Sequence, residues 1–205
     1  MMPRRYARIG LAGFTAAVYS LPADAHIVSS RLGDFFTGAL HPLTDPADIM
    51  LWIGLALLAG CAGARSARWL VLAVPVGLVS GFVLSLTGVQ LPGVLTTAML
   101  VMLGAIAVVA WVPTAGGLVM LALVSGIVRG IANAGGVAPD TDVALYATGL
   151  AGVGYAAITL AMALSVRLLG PEARLAAPWR QVAVRVAGSW IAAIGLMTAA
   201  LAMRG

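Results

Sequence analysis

The stretch from Ala39 to Gly60, ALHPLTDPADIMLWIGLALLAG, places one histidine and two aspartates directly before an apolar run. Imidazole and carboxylate groups are ligands of divalent transition metals, so His41 and Asp48 are candidate ligands for such a cation. Two ligands are too few for tight binding. A metal site here would therefore need further side chains from other parts of the chain.

The same residues also have the pattern of a helix start. Asp45 can be the N-cap, Pro46 the first helical residue, and Asp48 the acid of a capping box that also faces the positive end of the helix dipole. In this interpretation His41–Pro42 is an extended approach with an exposed histidine. PDTD repeats the pattern before a later apolar run, with Asp140 as the predicted cap. Capping and metal binding both remain open.

The composition is that of an integral membrane protein. Hydrophobic residues make up 61% of the chain and charged residues only 9%, which leaves too little polar surface to cover a soluble core. All the basic residues are arginines, and no run of them exceeds two, so the sequence lacks the basic patch of a nucleic-acid-binding protein. The single cysteine, Cys61, excludes an internal disulfide and a cysteine-based metal site.

Six apolar segments are candidates for membrane spans of about 20 residues. They cover approximately Ala47–Ala64, Trp69–Thr87, Gly93–Val112, Gly116–Asn133, Val143–Leu168 and Val182–Met203. Since a span must satisfy its own amides, the sequence predicts an all-α, six-helix membrane bundle with short loops. Two small-xxx-small stretches, Gly77–Gly81 and Gly126–Gly130, indicate close helix packing, either within the chain or at a dimer interface.

The first 25 residues have the features of a signal peptide. A basic start, MMPRRYAR, is followed by a short apolar stretch and by small residues in ADA at Ala23–Ala25. We therefore expect a signal peptide at residues 1–25, with His26 as the mature N-terminus and one six-span domain at residues 26–205. The alternative is an uncleaved membrane anchor.

The arginines predict the orientation. The connections after the first and fifth spans carry Arg65, Arg68, Arg167, Arg174, Arg180 and Arg185, whereas the other side carries most of the aspartates. The positive-inside rule then places both mature termini outside the cytoplasm, which agrees with an exported N-terminus. The expected location is the inner membrane of a bacterium.

The whole mature chain resembles the HupE/UreJ proteins, nickel permeases associated with hydrogenases and ureases. The resemblance rests on HPL before the first span, GVQLPG before the third and ALYATGLA in the fifth. It implies a membrane bundle that transports nickel or delivers it to an enzyme. The family pattern H-P-L-x-G-x-D-H falls on His41 to Asp48, so the family aspartate is replaced by Ala47 and its second histidine by Asp48.

The fourth-span family pattern, H-G-x-A-H-G, falls on Arg129 to Ala134, and both of its histidines are replaced, by Arg129 and Asn133. A further family histidine falls on Ile158. The resemblance leaves His41, Asp48, Asn133 and His26 as possible ligands for Ni²⁺ or another divalent transition metal.

Arg129 introduces a fixed positive charge at this place. Two unit charges about 4 Å apart interact by roughly 4 kcal/mol at an effective dielectric constant near 20, and a divalent cation doubles that repulsion. We expect Arg129 to replace the metal as a structural crosslink, salt-bridged to Asp48 or another acid. The alternative is that its side chain snorkels to the membrane interface.

Two functions remain open. The first is a transition-metal permease with an eroded metal site; the second is a non-transporting accessory subunit that docks a membrane-bound or periplasmic enzyme. An enzyme is not expected, because the chain contains two histidines, no H-E-x-x-H motif and no serine–histidine pairing.

Overall fold

A computed structural model describes the backbone of residues 25–170 and 178–203, and side chains from Gly33 onward within those ranges. This part of the chain is helical, which confirms the predicted all-α class. Its seven long helices are α1 (Ala25–Thr44), α2 (Pro46–Ala62), α3 (Leu70–Leu86), α4 (Val94–Val108), α5 (Ala115–Asn133), α6 (Val143–Leu169) and α7 (Pro178–Ala202). A four-residue helix, Ala64–Ala67, precedes α3, and a 3-10 turn, Ala134–Gly136, follows α5. The predicted signal peptide, at residues 1–25, lies outside the described residues except for Ala25.

The six predicted spans correspond to α2–α7, but these helices differ in their ability to cross a bilayer. Four helical stretches in the described ranges are long and apolar enough, namely Ala64–Leu86, Ala115–Gly136, Val143–Leu169 and Pro178–Ala202. The pair α1–α2, bent by 71°, is a fifth candidate. Helix α4 has 15 residues, fewer than a straight span of the hydrocarbon core requires. The protein is therefore a multi-pass membrane protein with four to five candidate spans.

Helix α1 corrects one prediction. His41 and Pro42 lie in its last turns rather than in an extended approach, and His41 is partly buried rather than exposed. Tertiary packing explains why a proline is tolerated here: α1 lies against α6 so closely that a Cβ added at Gly38 would overlap the backbone of Tyr146. The helix ends at Thr44, and the chain turns sharply into α2.

Helix α2 is the centre of the bundle. From Leu51 to Gly60 every residue except Ile53 is buried, and the helix contacts α1, α4, α5, α6 and α7. A helix that is apolar on all sides is expected in the interior of a bundle rather than at its surface. Because α2 is central, Asp48 in its polar first turn is buried inside the protein.

The two small-xxx-small stretches pack against each other within the chain. A Cβ added at Gly77 of α3 would lie 2.9 Å from the Cα of Gly126 in α5, and one added at Gly130 would overlap the carbonyl oxygen of Leu78. The same close approach joins α4 to α7, where a Cβ at Gly104 would lie 2.5 Å from the Gly188 carbonyl oxygen. The alternative that the glycine faces of α3 and α5 form a dimer interface is therefore wrong.

The cap of α6 corrects a second prediction. Asp142, not Asp140, is the N-cap, and its carboxylate accepts hydrogen bonds from the backbone N–H groups of Ala144 and Leu145 at 3.0 and 3.1 Å. Asp140 lies in the preceding turn and is exposed. The helix begins at Val143, one residue after the second aspartate of PDTD, and only that aspartate lies within reach of the free N–H groups.

Candidate functional site

The first turn of α2 supplies two carboxylates. Asp45 is the N-cap, and its Oδ1 accepts a hydrogen bond from the N–H of Ala47 at 2.8 Å, while Pro46 begins the helix. Asp48 follows after three residues, so both side chains project from the same end of the helix. The Asp48 side chain is fully buried, whereas that of Asp45 is 38% exposed.

Arg129 comes from the last third of α5 and meets both carboxylates. Its Nε donates to Asp48 Oδ1 at 2.9 Å and its Nη2 to Asp48 Oδ2 at 2.8 Å, which is a two-pronged contact. The same Nη2 donates to Asp45 Oδ2, and Nη1 lies 3.5 Å from the hydroxyl oxygen of Thr96 in α4. The arginine side chain is only 6% exposed, and it joins α5 to α2 and α4.

Asn133 lies one turn after Arg129 and completes the cluster. Its Nδ2 donates to Asp48 Oδ2 at 3.0 Å and to the Arg129 carbonyl oxygen at 2.8 Å. The Tyr146 hydroxyl donates to the Asn133 carbonyl oxygen at 2.8 Å and connects α6 to the end of α5. The Oδ1 of Asn133 is buried and has no hydrogen-bond partner among the described residues.

The arrangement neutralises charge inside the protein. A carboxylate as buried as Asp48 is stable only if a cation and hydrogen-bond donors surround it. Arg129 and Asn133 provide these donors, and the N-terminal end of the α2 dipole adds a favourable field. We call Asp45, Asp48, Arg129 and Asn133 the ion-pair cluster. Its geometry is that of a crosslink between helices.

His41 makes no hydrogen bond or ion pair with the ion-pair cluster. The His41 ring packs against Gly136: a Cβ added there would lie 3.1 Å from His41 Nε2 and 3.0 Å from the Tyr146 hydroxyl oxygen. His26 belongs to α1, but its side chain lies outside the described residues. No group of three or more His, Cys, Asp or Glu side chains that could hold a metal ion occurs in the part of the chain that the structure describes.

The structure therefore brings together some of the sequence-predicted site residues and separates others. Asp48, Asn133 and Arg129 meet, while His41 lies beside Tyr146 and makes no hydrogen bond with Asp48 or Asn133 among the described side chains. The sequence did not identify Asp45 as both a helix cap and a partner of Arg129, although its three-residue spacing from Asp48 indicates a shared face. No local pattern identified Thr96 or Tyr146.

A cavity of about 390 Å³ lies beside the ion-pair cluster, on the side of α7. Asp45, Thr96 and Arg129 form its polar wall, and Ile194 and Thr198 of α7 are among the residues opposite. Arg129 therefore separates this cavity from the buried carboxylate of Asp48.

Comparison with known families identifies the protein's relatives. The sequence matches the family described as HupE / UreJ protein over residues 14–198, which is most of the chain. The chain belongs to the HupE/UreJ family. This is a family of membrane transport and accessory proteins, not of enzymes. No curated protein and no solved structure matches the sequence.

Membership in the HupE/UreJ family gives the ion-pair cluster a further meaning. The positions where the resemblance places family histidines include Asp48, Arg129 and Asn133, from two separate motifs. The side chains of Arg129 and Asn133 both donate to the Asp48 carboxylate, and Asn133 also donates to the Arg129 carbonyl oxygen. The position of the fifth-span histidine is Ile158, which is fully buried in the apolar core. In this chain the meeting point of the two histidine motifs is an arginine–carboxylate contact.

Proposed function

We propose that this HupE/UreJ protein is a non-transporting accessory subunit of a membrane protein complex, in which an arginine has taken the place of the metal. The observation that carries the proposal is the two-pronged contact of Arg129 with Asp48, at 2.8 and 2.9 Å. Both oxygens of the one fully buried carboxylate among the described residues are thereby occupied. A metal cation entering here would compete for these oxygens with the guanidinium of Arg129, which is part of the protein itself.

Electrostatics disfavours a divalent cation at this place. A guanidinium about 4 Å away repels each unit of positive charge by roughly 4 kcal/mol at an effective dielectric constant near 20, so Ni²⁺ meets about twice that repulsion. The remaining candidate ligands, Asn133 Oδ1 and His41, are too few to offset it. The accessory role then rests on the packed scaffold, and the docked partner is a membrane-bound or periplasmic enzyme.

The second candidate is a transition-metal permease that uses the same region. The cavity of about 390 Å³ beside Arg129 favours this second candidate. A metal ion in the cavity would meet the Asp45 carboxylate on one side of the ion-pair cluster. In that case Arg129 is a gate, and His41, Asp48, Asn133 and His26 are the ligands that the metal meets as substrate.

We also propose that α2 to α7 all cross the bacterial inner membrane, so that both mature termini lie in the periplasm; a helix as short as α4 is accommodated by local thinning of the bilayer. The charge distribution supports this orientation: Asp34, Asp45 and Asp142 lie at one end of the bundle, and Asp34 accepts a hydrogen bond from the Asp142 N–H at 2.8 Å. The connections at the other end carry the arginines. Residues 1–25 are proposed as a signal peptide, with a retained anchor as the alternative. Reporter fusions at the C-terminus and after Arg65 test the orientation.

Nickel uptake separates the two functions. Cells that lack their own nickel uptake would express wild type, His41→Ala or an empty vector, with protein levels matched by immunoblot. The proposal expects equal nickel accumulation in all three, because no metal passes through the ion-pair cluster. Accumulation that wild type raises and His41→Ala abolishes would overturn it and establish the permease.

A further inference from the structure

A second cavity lies at the opposite end of the bundle from the ion-pair cluster. It measures about 190 Å³ and is lined by residues at the ends of α2, α4, α6 and α7. Its wall is apolar where Ala107, Leu169 and Val184 face it, and polar where Cys61, Gln181 and Arg185 face it. Since one water molecule occupies about 30 Å³ in the liquid, the space suits a short apolar segment better than a single ion.

The charge around this cavity is positive. Arg185 faces it, and Arg65, Arg68, Arg167 and Arg180 lie on the same helix ends or connections. Both ion pairs found among the described residues belong to Arg129 at the other end, so these five arginines have no carboxylate partner there.

Exposed tryptophans mark this end as a membrane interface. Trp69, Trp111 and Trp179 are 49%, 58% and 61% exposed, as is typical of aromatic belts at the level of lipid headgroups. The guanidinium carbon of Arg68 lies 5.0 Å from the centre of the Trp69 ring, and that of Arg180 lies 5.4 Å from the Trp179 ring. The cavity therefore has an apolar wall and a cationic rim, and it lies at the level of the lipid headgroups.

We propose that this cavity is a binding site for an anionic phospholipid. The phosphate accepts hydrogen bonds from the Arg185 guanidinium, because planar guanidinium groups match phosphate oxygens in pairs. The first methylene groups of an acyl chain lie against Leu169 and Val184. A lipid with a cationic choline group is disfavoured by the surrounding arginines, whereas a phosphatidylglycerol headgroup is attracted by them. The site is independent of whether a metal crosses the bundle.

Cys61, the only cysteine of the chain, provides a built-in reporter because it lines the cavity and is partly accessible. The full-length protein would be placed in nanodiscs of phosphatidylcholine with or without phosphatidylglycerol, and the rate of Cys61 alkylation by a neutral maleimide would be measured. Bound lipid covers the thiol, so we expect phosphatidylglycerol to slow alkylation about fivefold, the factor that corresponds to one arginine–anion attraction at a membrane surface.

Two arginine variants separate a specific site from diffuse surface charge. Arg185→Gln is expected to abolish the difference between the two lipids. Arg65→Gln removes an equal charge at the same end but from a residue that does not line the cavity, and should keep the difference. Phosphatidylglycerol that co-purifies with wild type, measured by mass spectrometry, should be lost from Arg185→Gln but retained in Arg65→Gln.

Three results would overturn the proposal. The first is equal alkylation of wild type in the two lipid mixtures. The second is an equal loss of protection in both arginine variants, which would indicate a general surface potential. The third is full protection by inorganic phosphate in detergent without lipid, since the site would then bind a free anion.

Discussion

Arg129 and Arg185 each line a cavity, at opposite ends of the same bundle, yet their surroundings differ. The Arg129 side chain is 6% exposed and contacts two carboxylates, whereas Arg185 is exposed and faces no carboxylate among the described residues. The difference arises from the helix ends nearby: α2 begins with Asp45 and Asp48 at one end, while arginines follow it at the other. One arginine is therefore neutralised internally, and the other is available to an external anion.

The largest difference between the two arginines is expected in stability. Arg129→Met leaves the Asp48 carboxylate buried without its cation, which should lower the free energy of unfolding by about 3–5 kcal/mol. Arg185→Met removes an exposed charge and should change it by no more than about 0.5 kcal/mol. Both values can be measured by unfolding the purified protein in mixed micelles with increasing fractions of denaturing detergent. Equal effects of the two substitutions would remove the contrast.

A double-mutant cycle sharpens this result. Asp48→Leu alone leaves Arg129 with only the half-exposed Asp45, but in the Arg129→Met/Asp48→Leu variant neither buried charge remains. The decrease in the free energy of unfolding should therefore be smaller in the double variant than the sum of the decreases in the two single variants, by about 0.5–3 kcal/mol. Strictly additive losses would show that the two side chains do not act together.

The close packing that positions Arg129 is the next most sensitive feature. Gly130→Ala forces a methyl group against the Leu78 carbonyl oxygen and should lower the free energy of unfolding by about 1–3 kcal/mol. Gly152→Ala is the matched control, because a Cβ at that helical position meets nothing within 4 Å. If the control loses as much stability as Gly130→Ala, helix contact is not the cause.

Substitutions of the two aspartates before α6 should differ in their effect on the free energy of unfolding, but by a smaller amount. Asp142→Ala removes the acceptor for two free N–H groups, at 3.0 and 3.1 Å, and should lower the free energy of unfolding by about 1 kcal/mol. Asp140→Ala, in the exposed turn, should change it by no more than about 0.5 kcal/mol. The same micelle titration measures both, and a larger loss for Asp140→Ala would contradict the assigned cap.

The smallest effect is expected at the edge of the ion-pair cluster. The Thr96 hydroxyl oxygen lies 3.5 Å from Arg129 Nη1, at the limit of a hydrogen bond. Thr96→Val should therefore lower the free energy of unfolding by no more than about 0.5 kcal/mol, similar to Thr97→Val on the next position of α4. A loss several times that of Thr97→Val would make Thr96 a full member of the cluster.

The sequence predicted the helices well because the bilayer restricts the choice: a long apolar run must form a helix. It failed at His41–Pro42, where proline indicated a break but packing of α1 against α6 keeps the helix. It also failed at Asp140, because PDTD offers two possible caps and only the helix start decides between them. The sequence patterns predicted six spans. In the structure α4 has only 15 residues, so helix length alone supports four to five candidate spans among the described residues.

The site was less predictable than the fold. The replaced histidines of the family motifs suggested that Arg129 meets an acid near the start of α2, and the structure has its guanidinium on Asp48 and Asp45. The roles of Thr96 and Tyr146 depend on which helices are neighbours, and a single sequence does not contain that information. For the same reason nothing in the sequence showed that His41, seven residues before Asp48, makes no hydrogen bond with it.

Equilibrium nickel binding to the purified wild-type protein tests most directly the claim that Arg129 has replaced a metal. Calorimetric titration would compare wild type with His41→Ala in the same detergent, after metal has been removed by a chelator and the chelator by dialysis. We expect neither protein to show saturable binding. A saturable wild-type site that His41→Ala removes, with Arg129 unchanged, would contradict it.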